Sequence, residues 1–97
     1  MAHGEYKMPG GKLVIVEFEV DAGRLRDVVV SGDFFLYPDE VLEAITGALE
    51  HLPADLPEAS YAAKVQAAIP DGATIMGVTP EGVAIAVRRA LAEVGQP

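Results

Sequence analysis

Two short segments carry residue types able to contact an anion or a partner chain. In Lys7-Met8-Pro9-Gly10-Gly11-Lys12, two lysines flank a Pro-Gly-Gly turn. Glycines let backbone N–H groups approach an anion, and lysines supply point charges. The spacing is not the G-x-x-x-x-G-K-[ST] of a phosphate loop, so the plain alternative is a turn leading into a strand. In Ser31-Gly32-Asp33-Phe34-Phe35, two adjacent aromatics follow a strand-breaking Gly-Asp pair. Neighbouring side chains on an extended chain point to opposite faces. Either one ring is exposed and serves as a contact anchor, or a local twist buries both.

The remaining polar residues assemble no reaction centre. His3 and His51 are the only histidines, and neither has a neighbour that suggests a triad or a metal site. His51 is expected at a helix C-terminus, where an imidazolium is favoured. Glu17 and Glu19 share one strand face and read as a solvated pair rather than a cation site. Cysteine is absent. That excludes disulfides, thiol catalysis and thiolate-held metals or clusters. The chain therefore reads as a binding or accessory module, with no catalytic and no metal-ligating residue assigned.

The elements that position these segments follow from periodicity. Residues 1–11 are polar and glycine-rich and read as an irregular arm. Lys12 to Val20 alternates, with Val14, Val16, Phe18 and Val20 on one face and Glu17 and Glu19 on the other, which predicts a half-buried strand. Asp21-Ala22-Gly23-Arg24 predicts a hairpin turn, and Leu25 to Ser31 the second strand. Val28 and Val30 share a face that Leu25 does not, a slip that a bulge or an early turn residue repairs. Phe34 to Leu36 is a candidate for a short third strand.

Three helices follow. Pro38-Asp39-Glu40 opens the first, with Val41, Leu42, Ile45, Leu49 and Leu52 as its stripe and Pro53 as its end. The second spans Pro57 to Ile69, with Tyr61, Val65, Ala68 and Ile69 apolar. The third has Thr79 as N-cap, Pro80 at N1 and Glu81 at N2. Val78 and Val83 match a hydrophobic staple, while Gly82 at N3 departs from a full capping box. Val83, Val87, Leu91 and Val94 form its stripe. Strands first and helices after, in one 97-residue domain, predict an α+β fold: a small antiparallel sheet of two to three strands with about three helices on one face. The hairpin would bring residue 12 and residue 31 to the same end of paired strands.

Composition narrows the partners. Fifteen acidic residues against seven basic ones give a net charge of −8. Such a chain repels phosphate backbones, so no nucleic acid is expected. Its apolar runs fall far short of the roughly 20 residues that span a bilayer, so no membrane is expected either. Met1 to Lys12 has no apolar core of a secretion signal, and with the absence of cysteine this fits a cytoplasmic protein.

Tyr6-Lys7-Met8-Pro9-Gly10-Gly11-Lys12-Leu13 resembles the Y-K-x-P-x-G-K-L entry of the C-terminal accessory domain of lipoate–protein ligase A. Ser31-Gly32-Asp33-Phe34-Phe35 resembles its S/T-G-D-F-F segment, in the same order and at a similar separation. Gly77-Val78-Thr79-Pro80-Glu81 resembles the start of its last helix. The likeness runs over about residues 5–94. It implies a fold similar to the sulfur-transfer and iron–sulfur scaffold proteins, without their cysteine chemistry.

It further implies a non-catalytic accessory subunit that works with a separate catalytic large subunit. The complex uses lipoate, ATP and Mg to form lipoyl-adenylate, and this chain alone holds no cofactor. Lipoyl is then passed to carrier domains of 2-oxoacid dehydrogenases or to the glycine-cleavage carrier protein. Met1 stands only a few residues before the first motif, so the separate form is expected rather than the fused one. Tyr6, Lys7, Pro9, Gly10, Gly11, Lys12, Gly32, Asp33, Phe34 and Phe35 are the residues expected near the partner and its nucleotide. The alternative is a small ligand-binding or regulatory module with no lipoylation role.

Overall fold

A computed structural model describes residues 1–94. It is an α+β domain of eight elements: β1 (Ala2–Lys7), β2 (Leu13–Asp21), β3 (Arg24–Gly32), β4 (Phe35–Tyr37), α1 (Glu40–Leu49), α2 (Glu58–Ala68), β5 (Thr74–Met76) and α3 (Pro80–Val94). β1, β2 and β3 form an antiparallel sheet in that order, and β4 pairs with β5 in a separate antiparallel ribbon. One face of the sheet is covered: α3 lies on β1 and β2, α2 packs on α3, and α1 on α2 and β3.

The central hairpin follows from its residues. Val14, Val16 and Phe18 are fully buried, while Glu19 faces solvent. Ala22 and Gly23 take φ of 52° and 76°, the twist-matched type I′ geometry of a two-residue turn. The predicted slip in β3 is a bulge. Glu17 pairs with Val29 but Glu19 pairs with Arg26, so Phe18 faces two residues, Asp27 and Val28. Asp27 absorbs the extra residue at φ 56°. Leu25, Val28 and Val30 thereby reach the same buried face.

Four expectations are corrected. Residues 2–7 are a strand, not an irregular arm. Ala2 and Gly4 are its buried positions, and at Gly4 α3 comes so close that a β-carbon would meet its backbone. A hydrophobicity pattern does not register such a face. The Phe34–Leu36 segment, shifted to Phe35–Tyr37, leaves the main sheet and pairs with β5, a strand with no counterpart in the sequence reading. Helix α1 ends at Leu49 instead of running to Pro53. There Glu50 turns out of the helix, its carboxylate accepts the Val28 N–H, and His51 takes φ 66°. The His51 N–H donates to the Leu25 carbonyl and the Leu25 N–H to that of Leu52, so residues 51–54 cover the β3 edge. Val94, placed on the α3 stripe, is 47% exposed, and Ala84, Ala86 and Ala90 fill the core instead.

The third helix starts as its sequence indicates. The Gly82 N–H donates to Thr79 Oγ1 at 3.0 Å, and both Val78 and Val83 are buried. At Gly82 the end of the Met8 side chain packs where a β-carbon would stand.

A histidine fastens β1 on the open face. His3 Nε2 lies 2.6 Å from a Glu5 carboxylate oxygen, and Nδ1 lies 2.9 Å from one of Glu17. A carboxylate only accepts, so both contacts are satisfied together when both ring nitrogens carry protons, and the two carboxylates favour the imidazolium. The hydrogen bond to Glu17, then that to Glu5, raises the His3 pKa above its ordinary 6.5. A raised folded-state value gives stability that is fully present below that ordinary value and is lost as pH rises through the raised one. Stability is therefore expected to drop as pH rises above that ordinary value and through the raised one. His3→Gln should remove this part of the slope, read from urea transitions at each pH.

Candidate functional site

The two motif segments meet at one end of the sheet. Met8 to Lys12 is the loop of the β1–β2 hairpin, closed by the Met8 N–H on the Lys12 carbonyl and by the Gly11 N–H on the Met8 carbonyl at 2.9 Å. Gly10 and Gly11 take φ of 96° and 92°, which L side chains avoid. Met8 is buried against the start of α3 and anchors the loop, while Pro9, Gly10, Gly11 and Lys12 are exposed. The last residue of β3, Gly32, pairs with Val14, directly after the loop. The Asp33 N–H donates to the Leu13 carbonyl at 3.0 Å.

The ribbon lies beside this junction. A β-carbon on Gly77 would stand 3.1 Å from Lys12 Cγ and 3.4 Å from Phe34 Cα. The Lys12 stem, the backbone after β3 and the residue after β5 are thus packed together. All three resembling segments contribute to this one place.

Within it, the side chains divide. Phe34 is partly buried and packs on the core, whereas Phe35 is 55% exposed. Lys7 and Lys12 are exposed, and among the described residues neither is paired with a carboxylate. Tyr6 stands apart from Lys7. It alternates onto the inner face with Ala2 and Gly4, where the Arg89 guanidinium lies 5.1 Å from its ring centroid. Arg89 also donates to the Glu5 carbonyl at 3.0 Å, so Tyr6 braces β1 on α3. Asp33 and Gly32 are exposed at the end of β3.

Sequence reasoning missed several residues of this end. Tyr37 and Met76 are each 62% exposed, and Gly77 forms the close junction with Lys12. Their signal is a short run, Thr74-Ile75-Met76, bounded by Asp71-Gly72 and Gly77. Three residues are too few for a period to declare itself.

The arrangement offers two backbone-flexible glycines, two unpaired ammonium groups and exposed aromatic surface, which is contact chemistry. Among the described residues, no group of three or more histidine, aspartate or glutamate side chains converges to hold a metal ion. No described helix is long and apolar enough to cross a membrane.

No family model matches the sequence, and no curated protein matches it. Among solved structures, the fold is similar to that of a chain from an archaeal lipoylation system, described as a bipartite lipoate protein ligase and its E2 lipoyl domain from Thermoplasma acidophilum. The identity is 24%, the TM-score is 0.67, and the match covers 89% of this chain and 97% of that one.

Proposed function

We propose that this chain is the non-catalytic accessory subunit of a bipartite lipoate–protein ligase. It joins a catalytic large subunit in the ATP- and Mg-dependent activation of lipoate to lipoyl-adenylate, in the cytoplasm. The lipoyl group then passes to the carrier domain of a 2-oxoacid dehydrogenase or of the glycine-cleavage system. One observation carries the reading. A fold like that of a chain from a two-part ligase system brings together the Lys7–Lys12 loop, the Gly32–Phe35 segment and the Gly77 junction, the three segments that resemble the ligase's accessory domain.

The physical role follows from what the chain has. With this contact surface, it can cover a nucleotide and keep water from a mixed anhydride. It can also order loops of the large subunit, so that binding ATP costs less entropy. Lys7 and Lys12, held at the two ends of a glycine loop, would present their ammonium groups to the anion. Tyr6, expected beside them, also braces β1 on α3 through Arg89.

Co-expression with the catalytic chain of the same cell, followed by co-purification, tests the partnership; two chains that elute separately contradict it. Lys12→Ala is expected to slow adenylate formation about tenfold, the effect of losing one charge-assisted contact. An exposed lysine adds little to stability, so the melting curve should not move. Wild-type adenylation by Lys7→Ala, Lys12→Ala and the double variant would remove the anion contact and leave a structural loop.

A further inference from the structure

The β4–β5 ribbon is two-sided. Leu36 and Ile75 pair across it and pack on the core. Phe35 pairs with Met76, and Tyr37 with Thr74. Strand alternation puts all four of these on the opposite face. Phe35, Tyr37 and Met76 are 55%, 62% and 62% exposed. These three are half of the six large apolar side chains that stand exposed among the described residues. The others, Met1, Val29 and Val94, lie on three different elements or ends. A three-residue strand pair has too few hydrogen bonds to hold such a face for its own sake.

We infer that the outer face of this ribbon, Phe35, Tyr37 and Met76, is the surface that docks on the catalytic chain of the ligase. The inference rests on the proposed function and goes past it, because it moves the anchor from the motif to a ribbon half of which no motif marks. Two observations choose this occupant. The face adjoins the loop of unpaired lysines through the contact of Lys12 with Gly77, so one partner can meet apolar and basic groups together. The chain as a whole is acidic, with a net charge of −8, which disfavours a second copy of itself. Aromatic side chains and methionine are enriched in the cores of such interfaces, where a few anchors dominate binding. The partner face should therefore be an apolar groove with an acidic or anion-filled rim beside it.

The test uses the full chain and the purified catalytic chain, with affinity measured by titration calorimetry. Phe35→Ser and Met76→Ser are each expected to weaken binding tenfold or more, with melting curves close to wild type because both side chains are more than half exposed. Val29→Ser, an equally exposed apolar residue on the open face of the main sheet, should bind as wild type. Wild-type affinity in the Phe35→Ser, Met76→Ser double variant overturns the ribbon as the docking face while leaving the subunit reading intact. Loss of binding in Val29→Ser equal to that in Phe35→Ser also overturns it, since the contact would not be local. No binding by the wild-type chain overturns both.

Discussion

Gly32→Ala is expected to lower the melting temperature by about 15 °C, from a loss of about 3 kcal/mol at roughly 5 °C per kcal/mol for a domain of this size. Gly32 ends β3 at φ 151°, and a β-carbon there would penetrate the Leu13 carbonyl oxygen. That oxygen belongs to the backbone that pairs with β1 through Lys7 and accepts the Asp33 N–H. It cannot yield without opening the end of the sheet. The Phe34 ring lies against the same position, so the ribbon would shift as well. Gly47→Ala is the control. Gly47 lies within α1 with open space around its β-carbon position. It should gain about 0.5–1 kcal/mol from helix propensity alone. Equal melting of Gly32→Ala and wild type would contradict this account of the junction.

Gly4→Ala is expected to cost a similar amount, about 3 kcal/mol, by a different route. The added carbon would collide with the Ala86 carbonyl oxygen and the Ala90 backbone nitrogen of α3. Both atoms are fixed by the helix, so the strand must lift. Lifting β1 would break the Arg89 contacts with Tyr6 and Glu5 and draw Met8 away from Gly82. Hydrogen exchange should show the amides of residues 2–7 losing protection before those of the β2–β3 hairpin. Undiminished protection of β1 in Gly4→Ala would show that α3 does not need the glycine.

The same two glycines mark where sequence reading stops. The hairpin of β2 and β3 and its bulge were legible, because Val14, Val16, Phe18, Leu25, Val28 and Val30 declare their faces through size and spacing. The start of the third helix was legible to the residue, through Thr79, Pro80 and the Val78–Val83 staple, but its buried face was not, because Ala84, Ala86 and Ala90 fill the core while Val94 is exposed. β1 was not, because its buried positions are Ala2 and Gly4, which tight packing selects and hydrophobicity does not register. The β4–β5 pairing was not, because it joins three-residue segments far apart in the chain. The end of α1 was set by tertiary contacts of Glu50 and His51 with β3, which local propensity does not contain. At the candidate site, the Lys7–Lys12 loop and the Gly32–Phe35 segment stood out as the stretches that periodicity left unexplained. The direction of Tyr6, and the choice of Phe35 over Phe34 for exposure, required strand register.

The measurement that bears most directly on the central claim is ATP–pyrophosphate exchange dependent on lipoate. This chain alone should show none, the catalytic chain alone little, and the mixture full exchange that saturates at one accessory chain per catalytic chain. Exchange by this chain alone, or full exchange by the catalytic chain without it, would contradict its assignment as a required non-catalytic subunit.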